Sequence, residues 1–516
     1  MAGFNAARTH DNTAESTLTT SNVGQLVLRS DADLPNPGDL PTTTHLSPAF
    51  ANGFMYVAGE SGNVYVYDAA AYPGCGGDIP PECAPLWFGT VPASSQRSSP
   101  AVVNGTVYVG GNDGVYAFDA SGKTNCATPP DKSCGPLRTY AAGGPVASSP
   151  AIVDGTLYVT AGAAGRTLYA FDASGETNCS GTPVSCTALW SASLGGVGSD
   201  PTVAAGSVYV GAANGRVYAF DAAGTTNCSG SPHVCSPLWT ATLSGAGSVS
   251  TLAYTNGVLY GTLNGRLYAV DATGAGCSGT STTCVPLWRS TISTRASAPA
   301  VANGIVYSAT PAGVEAFDAG GHTKCVGAPT TCTPLWTAVG ATSLTPAIAN
   351  GVLYVGEQDG TLQAFDAAGA TNCSGTPSTC QPLWSRRAGI IASGPVVANG
   401  SVTVRVDDET SVISRFVRTY AIVPPRIYAA NLGHDGAVYV HGIQFPPSTS
   451  GVVAVTDEDQ SNEVATVNIT TFADGDFFAT PDLPVWQCGD DISVTATVGT
   501  STASDKTVLG CQTASS

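Results

Sequence analysis

Charged side chains are scarce in this chain: they make up 11% of its 516 residues, with 19 basic residues against 37 acidic ones. The resulting net charge of −18 repels phosphate backbones and anionic lipids, which disfavours nucleic acid and membrane surfaces as partners. No run of about 18 apolar residues occurs, so we expect no membrane-spanning helix. The first residues also lack the basic and apolar regions of a signal peptide, so we expect a mature or recombinant start from which any targeting signal is already absent.

Glycine (61 residues) and proline (34) are plentiful, and apolar residues reach 43%. Sparse charge with abundant Gly, Thr, Ser and Val is typical of many short strands joined by tight turns. The apolar residues recur in register, which disfavours disorder. At 516 residues the chain exceeds the size at which one hydrophobic core usually stops growing, so it holds several domains or a repeat array.

The cysteines number 16, and most of them stand in pairs with nearly fixed local spacing. Seven pairs have this spacing, and they are Cys75/Cys83, Cys126/Cys134, Cys179/Cys186, Cys228/Cys235, Cys277/Cys284, Cys325/Cys332 and Cys373/Cys380. The last two cysteines are Cys488 and Cys511. This pattern predicts disulfides made in an oxidising compartment, and therefore a secreted or cell-surface protein. Zinc binding is the alternative, but zinc sites favour Cys-x2-Cys pairs with further Cys or His ligands, and no His accompanies each pair.

A unit of about 50 residues recurs along the chain. One copy reads Ser148-Ser-Pro-Ala-Ile-Val-Asp-Gly-Thr-Leu-Tyr-Val, then Leu168-Tyr-Ala-Phe-Asp172, then a Cys pair and Ala188-Leu-Trp190. Repeats of this length bury their faces only by stacking on their neighbours. The unit divides into four predicted strands: A (the Pro-Ala-Val type run), B (Val-Tyr-Val), C (Tyr-Ala-Phe-Asp) and D (Pro-Leu-Trp).

Tight turns join the predicted strands A and B, because Asn-Gly and Asp-Gly tolerate the positive φ that such a hairpin demands. The turns are Asn52-Gly53, Asn104-Gly105, Asp154-Gly155, Ala205-Gly206, Asn256-Gly257, Asn303-Gly304, Asn350-Gly351 and Asn399-Gly400. Strand D occurs only seven times, ending at Trp384, and we expect Val23–Arg29 to supply the eighth and close the ring. The sequence therefore predicts an all-β fold, an eight-bladed β-propeller with four-stranded blades over residues 22–423, after a lead-in over 1–21.

Several side chains recur in every unit or nearly so. A tyrosine in strand B and a tryptophan in strand D predict packing of one blade on the next rather than a ligand cage. Arg138 replaces this tryptophan in the second unit, which predicts looser packing there. An aspartate after strand C, such as Asp119, is expected to accept backbone N–H bonds in a turn. Calcium ligation by these aspartates is the alternative, although calcium requires several converging oxygen ligands.

The Ser-Pro-Ala-x-x-x-Gly-x-x-Tyr-Val, Tyr-Ala-Phe-Asp-Ala and Leu-Trp segments resemble the pyrroloquinoline-quinone (PQQ)-like repeat of the quinoprotein propeller superfamily. The lead-in from Asn12 to Val23 is similar to that of bacterial members, and the resemblance covers roughly residues 10–423. It implies the propeller fold. It does not select a function, because the superfamily includes quinone-dependent dehydrogenases and non-enzymatic assembly scaffolds alike.

The chain departs from the alcohol dehydrogenases of this superfamily. No two cysteines are adjacent, whereas those enzymes place a vicinal disulfide over the quinone. Their axial calcium site and catalytic aspartate match no position here, and no Cys-x-x-Cys-His haem motif is present. We therefore expect no catalytic residue, metal site or cofactor, and PQQ with calcium only under the alternative of a quinone-dependent oxidoreductase.

After Val423-Pro-Pro425 the repeat stops, and residues 424–516 carry alternating strands such as Gly451-Val-Val-Ala-Val-Thr. This pattern predicts an immunoglobulin-like β-sandwich, and it resembles small β-domains at the ends of bacterial extracellular proteins. Cys488 and Cys511 are expected to bridge its final strands.

The candidate ligand-binding residues are those at which one repeat departs from the others on the face formed by the D–A and B–C loops, because packing does not demand them. They are His45, Glu60, Arg97, Asp113, Asp200, Arg216, Arg266, Arg295, Glu357 and Asp359. This mixed-charge set would suit a polar ligand such as a glycan or peptide. A solvated loop face is the alternative interpretation.

Three functions remain open at this stage. The regular repeat, the disulfides and the missing catalytic motifs favour an extracellular binding or structural protein, with a glycan or protein partner or self-association. A PQQ-dependent oxidoreductase, or another propeller enzyme with unmarked catalytic residues, is the alternative. The acidic composition, the many disulfides and the C-terminal β-sandwich are also compatible with a subunit of a surface filament.

Overall fold

The computed structural model describes residues 5–34, 46–59, 62–69, 75–76, 82–91, 98–127, 132–146, 148–162, 165–243, 245–275, 277–278, 283–291, 297–340, 344–357, 359–407, 415–422, 426–431, 438–443, 445, 448–457, 462–472, 477–481 and 491–508. The chain divides into two compact units. The larger unit comprises residues 1–24 and 30–419, and the smaller unit comprises residues 25–29 and 420–516. The described residues are almost entirely β, with a 3-10 turn at Val23–Gln25, and they include no helix with the length and apolarity to cross a membrane.

The described residues before residue 422 form eight sheets, numbered here 1 to 8 along the chain, that repeat one order of strands A, B, C and D. Strand A is Ala49–Ala51, Ala101–Val103, Ala151–Val153, Thr202–Ala204, Ala253–Thr255, Ala300–Ala302, Ala347–Ala349 and Val396–Ala398. Strand B is Phe54–Ala58, Thr106–Gly110, Thr156–Ala161, Ser207–Gly211, Val258–Leu263, Ile305–Thr310, Val352–Gly356 and Ser401–Asp407. A short strand, Ile390–Ile391, also pairs with strand B of sheet 8.

The outer half of each sheet follows the same order. Strand C is Asn63–Asp68, Gly114–Asp119, Thr167–Asp172, Arg216–Asp221, Arg266–Asp271, Gly313–Asp318, Thr361–Asp366 and Arg415–Ala421. Strand D is Trp87–Thr90, Arg138–Ala141, Trp190–Ser193, Trp239–Thr242, Trp288–Ser290, Trp336–Val339, Trp384–Arg387 and, for sheet 8, Val27–Asp33. This repetition confirms the all-β propeller fold that the sequence predicts.

Strand D of sheet 8 comes from the N-terminal part of the chain, as expected, but it begins four residues later than the predicted Val23–Arg29. A turn occupies the earlier residues. The main-chain N–H of Val23 donates to the carbonyl of Thr19, and the side chain of Asn22 accepts from the N–H of Thr19. Asparagine favours such local bonds over strand pairing, which explains the shift.

The cysteine hairpins join neighbouring sheets. The hairpin Cys179–Ser180/Val184–Cys186 lies between strands C and D of sheet 3, yet Val184–Cys186 pairs in parallel with strand D of sheet 2. Six further hairpins pair in the same way with the preceding strand D. They are Cys75–Gly76/Glu82–Cys83, Cys126/Ser133–Cys134, Cys228–Ser229/His233–Cys235, Cys277–Ser278/Thr283–Cys284, Cys325–Val326/Thr331–Cys332 and Cys373–Ser374/Ser378–Cys380. Each hairpin therefore covers the outer edge of the neighbouring sheet.

Disulfides close these hairpins. Five of the predicted bonds are present with Cα atoms 3.9 to 4.0 Å apart: Cys126–Cys134, Cys179–Cys186, Cys228–Cys235, Cys325–Cys332 and Cys373–Cys380. Cys83 and Cys284 are also disulfide-bonded, and the strand register places them opposite Cys75 and Cys277. Disulfides in this number indicate an oxidising compartment.

The hydrophobic cores lie between consecutive sheets. One cluster joins Tyr56, Val66 and Trp87 of sheet 1 to Val107 and Phe118 of sheet 2. The tyrosine of strand B also donates a hydrogen bond to a carbonyl of the next sheet's C-strand turn. These bonds are Tyr56–Ala120, Tyr108–Ala173, Tyr158–Ala222, Tyr209–Ala272, Tyr260–Ala319 and Tyr307–Ala367, at 2.8 to 3.1 Å. The recurrent tyrosine therefore packs sheet against sheet, as predicted.

The recurrent tryptophan of strand D lies over a glycine in the same turn. A Cβ built on Gly224, whose φ is +68°, would lie 2.1 Å from Cδ1 of Trp190, so only glycine fits. Arg138 takes this position in sheet 2, where its Nη1 donates to the carbonyls of Ala173 (3.0 Å) and Ser174. The guanidinium thus replaces the tryptophan with polar contacts to the same turn.

The aspartate that ends strand C holds this turn closed. Oδ1 of Asp119 accepts from the N–H and hydroxyl of Ser121, and Oδ2 accepts from the N–H of Thr124, at 2.8 to 2.9 Å. Burial alone would raise the pKa of Asp119, but these hydrogen bonds outweigh it and lower the pKa to about 2. The bond from a threonine N–H to Oδ2 recurs at Asp172, Asp221, Asp318 and Asp366, which is the turn role that the sequence predicts.

The smaller unit contains two antiparallel sheets in its described part. One has the order Arg426–Asn431, Val438–Ile443 and Phe477–Ala479, and the other has the order Asn462–Thr470, Ser450–Asp457, Asp491–Val498 and Ser501–Val508. Val440 and Phe477 of the first sheet share a core with Val453 and Val494 of the second. Its immunoglobulin-like identity stays a prediction, and Cys488 and Cys511 lie outside the described residues.

Candidate functional site

The inner wall of the propeller is built from the A strands, because strand A of each sheet contacts strand A of the next from sheet 1 to sheet 8. The Ser-Ser-Pro segment before strand A fixes this wall. Oγ of Ser98 accepts from the N–H of Gly110 at the end of strand B, 3.1 Å away. The N–H of Ser99 donates to Oγ of Ser149, which belongs to the next sheet, also at 3.1 Å. The first serine therefore bonds to strand B of its own sheet, and the second serine bonds to the next sheet.

The N-terminal segment, defined here as residues 5–12, lies along this inner wall. Its carbonyl oxygens accept hydrogen bonds from the second residue of strand A in four consecutive sheets. The bonds are Val203 N–H to Ala6, Tyr254 N–H to Ala7, Val301 N–H to Thr9 and Ile348 N–H to His10, at 2.8 to 2.9 Å. Asp11–Asn12 then pairs in parallel with strand A of sheet 7. The Nδ2 of Asn12 also donates to the carbonyl of Val397 in sheet 8, 2.8 Å away.

Arg8 anchors the segment and is 1% exposed. Its Nε donates to the carbonyl of Pro201 at 3.1 Å, and its Nη2 donates to the carbonyl of Ser149 at 2.9 Å. Its Nη1 lies 3.3 Å from Oδ2 of Asp200. Asp200 occupies the position of Ser99 and Ser149 in the preceding sheets, and its Oδ1 accepts the N–H of Ser149 at 2.9 Å as a serine hydroxyl would. The substitution of serine by aspartate thus keeps the link between sheets and adds a charge partner for Arg8.

The backbone of the N-terminal segment curves through two left-handed residues. Arg8 has φ of 55° and His10 has φ of 56°, a conformation that costs a non-glycine residue about 1 kcal/mol or more. Burial and then the charge of Arg8 lower the pKa of His10 to about 3, so its imidazole is neutral at physiological pH. No sequence pattern predicts a role for Arg8 or His10, and the one available signal is the aspartate at position 200, where the preceding repeats carry serine.

The remaining predicted site residues fall into two groups. His45, Glu60, Arg97 and Arg295 lie outside the described residues. Asp113, Arg216, Arg266, Glu357 and Asp359 lie in B–C loops or at the first residue of strand C, in sheets 2, 4, 5 and 7. Across the described ranges, no hydrogen bond or ion pair joins two members of this second group, so these side chains do not form one cluster.

Several of these residues contact their own sheet. Oδ1 of Asp113 accepts from the hydroxyl of Tyr116 at 2.6 Å, and Nη1 of Arg266 donates to the carbonyl of Ser290 at 3.1 Å. Arg216 is exposed. Asp113 and Arg266 therefore have local structural partners, and Arg216 is open to solvent.

Glu357 is a buried carboxylate on the loop face, 7% exposed, with Asp359 exposed beside it. It follows strand B of sheet 7 and packs on Gly340, where a built Cβ would lie 1.6 Å from Oε1 of Glu357. Burial and then the charge of Asp359 raise the pKa of Glu357 to about 7. The protonation state of Glu357 therefore changes near neutral pH.

The quinoprotein resemblance raises the question of whether the inner wall suits a calcium-bound quinone. In sheets 4 to 7 the wall's N–H groups bind the carbonyls of residues 6–10, and the carboxylate of Asp200 binds Arg8. Calcium requires several oxygen ligands that converge. Among the described residues no group of three or more His, Cys, Asp or Glu side chains is placed to hold a metal ion. In these sheets the donors of the inner wall and the carboxylate of Asp200 already have partners in the N-terminal segment.

The sequence matches one family model, PQQ_2, described as outer membrane protein assembly factor BamB, over residues 182–371 and 235–415. No curated protein matches the chain by sequence.

Solved structures share the fold at low sequence identity. The quinohemoprotein alcohol dehydrogenase from Comamonas testosteroni has a TM-score of 0.54 and 14% identity, and the match covers 81% of this chain and 80% of that one. A europium-containing methanol dehydrogenase has a TM-score of 0.54 and 13% identity, with coverage of 82% and 97%. The computationally designed Ika8 protein has a TM-score of 0.52 and 14% identity, with coverage of 77% and 100%. These structures show that the chain shares their fold, and the family match shows similarity to the PQQ-like model over residues 182–415.

Proposed function

We propose that this chain is a secreted or cell-surface binding or structural protein whose propeller acts by contact and not by catalysis. The observation that carries the proposal is the occupied inner wall. There, the N–H groups of four sheets and the carboxylate of Asp200 bind the N-terminal segment of the same chain. This leaves the outer surfaces and loops as the places where a partner would bind.

The contacts of the charged residues that depart from the repeat support this proposal. Asp113 accepts from Tyr116, Asp200 pairs with Arg8, and Arg266 donates to a carbonyl, so these departures from the repeat have structural partners. The hairpin disulfides support a location outside the reducing cytosol. The partner is an extracellular glycan or protein, or a second copy of the chain, and the net charge of −18 disfavours nucleic acid.

The proposal is tested by incubating the purified chain with PQQ and Ca2+ and passing it through a desalting column. We expect no quinone absorbance to stay with the protein and no dye-linked oxidation of alcohols. Retained absorbance together with dye reduction would replace this proposal with a quinone-dependent oxidoreductase.

A positive test is also required of a binding or structural protein. We expect either saturable binding on a glycan or peptide array or light scattering that reports self-association. Reduced and alkylated protein is the control, since loss of the fold should abolish a specific signal. An oxidised, folded chain that binds nothing and stays monomeric at all concentrations would contradict the proposal.

A further inference from the structure

We propose that the inner wall of the propeller is a peptide-binding site, and that residues 6–12 are its resident ligand. The ligand class is a short peptide that turns its main-chain carbonyls outward and carries an arginine at its centre. This inference does not rest on the partner discussed above, because it concerns a site that the chain itself fills.

The first argument is that the wall contacts the segment through a regular set of main-chain donors. Four sheets each contribute the N–H of the second residue of strand A, and these groups bind carbonyls at positions 6, 7, 9 and 10. Main-chain recognition of this kind gives affinity without depending on side chains. The spacing of the donors follows from the repeat, because each of the four units contributes the N–H group at the equivalent position of strand A.

The second argument is the pocket for the guanidinium. Arg8 is 1% exposed, and its guanidinium lies beside the carboxylate of Asp200. It also donates to three carbonyls, those of Ser149, Pro150 and Pro201. A buried arginine must have its donors satisfied, because an unpaired buried charge is costly. Asp200 stands where the preceding sheets carry serine, so this pocket is a specific departure from the repeat. Its chemistry selects an arginine.

The third argument is the strained backbone of the segment. Arg8 and His10 both have positive φ, and such residues persist where the surroundings determine them. The segment's own contacts help, because the side chain of Asn5 bonds to Oγ1 and to the N–H of Thr9. In sheets 4 to 7, in contrast, strand A is paired along its whole length with strand B of its own sheet. The wall is therefore formed by the sheets, and the segment conforms to it.

The test is to express the chain without residues 1–12 and to titrate it with a fluorescent synthetic peptide of residues 5–14, Asn-Ala-Ala-Arg-Thr-His-Asp-Asn-Thr-Ala. We expect saturable binding with one peptide per chain. The intact chain should not bind the peptide, because its own segment fills the site. Two matched controls identify the arginine pocket: a peptide with Arg8→Ala, and a shortened chain with Asp200→Asn. Each should weaken binding at least tenfold, in line with the loss of a charge-assisted contact of about 1.4 kcal/mol or more.

A shortened chain that melts cooperatively with its disulfides intact, yet does not bind the peptide, would overturn the proposal. Equal binding of the Arg8→Ala peptide would also overturn it. If the shortened chain does not fold, amide hydrogen exchange on the full-length Arg8→Ala variant takes its place. We then expect faster exchange at Val203, Tyr254, Val301 and Ile348 than in the parent chain, and unchanged exchange at all four would overturn the proposal.

Discussion

Tyr307 and Tyr354 occupy the same position in consecutive sheets, but their hydroxyl groups differ in their bonding. The hydroxyl of Tyr307 donates to the carbonyl of Ala367 in sheet 7 at 2.8 Å. The hydroxyl of Tyr354 is buried and has no hydrogen-bond partner in the part of the chain that the structure describes. The eighth unit lacks the Asp-Ala turn that would supply its acceptor.

We therefore expect opposite effects from one substitution at these two sites. Tyr307→Phe should lower the free energy of unfolding by about 1 kcal/mol, because it removes a hydrogen bond between sheets. Tyr354→Phe should be neutral or slightly stabilising, because it removes a buried hydroxyl that has no partner. Urea unfolding of both variants beside the parent measures the difference, and equal losses at the two sites would contradict the assigned bonds.

The carboxylate of Glu357 predicts a pH dependence of stability. Its pKa is raised from 4.5 to about 7 in the folded state, so its protonated form stabilises the fold. This contribution is complete below about pH 4.5 and is lost as the pH rises through about 7. Glu357→Gln, which mimics the protonated form, should match the parent near pH 4 and be more stable than the parent at pH 8.

Thermal melts of parent and variant across pH 4 to 9 measure this effect on the order of 1 kcal/mol or more. Asp359→Asn is the control, because the charge of Asp359 contributes to the raised pKa of Glu357. In that variant the pH at which stability falls should be lower. Parallel melting curves for Glu357→Gln and the parent at every pH would contradict the assigned burial.

At the scale of the element, the turn after strand C determines how closely two sheets approach. Gly224 and Gly206 both have positive φ, +68° and +74°, but only Gly224 lies under a tryptophan. Gly206→Ala should lower the free energy of unfolding by about 1–2 kcal/mol through backbone strain alone, because nothing lies within 4 Å of the Cβ built at this position. Gly224→Ala should lower the free energy of unfolding by roughly 1–3 kcal/mol more than Gly206→Ala does, because its Cβ would overlap Trp190. Urea midpoints of the two variants test this ranking, and a Gly206→Ala variant that is the less stable one would refute it.

The cysteine hairpin is the second element that makes a testable prediction. Cys179→Ala with Cys186→Ala opens a loop of about eight residues, which on the chain-entropy model lowers the free energy of unfolding by about 2.5 kcal/mol. The same hairpin pairs with strand D of sheet 2, so amide exchange should rise in Arg138–Ala141 as well. Exchange that rises only inside the hairpin would contradict its role at the neighbouring sheet.

At the scale of the whole molecule, the hairpins and the N-terminal part of the chain both act at junctions between sheets. Strand D of sheet 8, Val27–Asp33, pairs in parallel with Glu82–Cys83 of the first hairpin. Nε of Arg418 lies 3.1 Å from Oδ1 of Asp31 across the same sheet. We expect reductant to lower the thermal midpoint markedly, because it opens every hairpin at once. An unchanged midpoint, with free thiols confirmed by alkylation, would show that the disulfides do not stabilise the ring.

Local features of the fold follow from the sequence because each depends on a few neighbouring residues. The Asn-Gly pairs predict positive φ, and Asn52 and Gly53 have φ of 51° and 80°. The spacing of the cysteines predicts pairing inside each hairpin, which five bonds confirm. The aspartate turn needs only the N–H groups within five residues of Asp119.

The repeat, the strands, the local disulfides and the propeller fold can be predicted from the amino-acid sequence, because all of them arise from short-range patterns copied many times. Three features become visible only in the assembled fold: which sheet each hairpin joins, the pairing of Asp200 with Arg8, and the position of residues 5–12 on the inner wall. These contacts connect residues far apart in the chain, as with Arg8 and Asp200, and they exist only once the sheets have assembled. A repeat pattern predicts contacts that every unit makes, and it does not predict a contact that occurs at one position only.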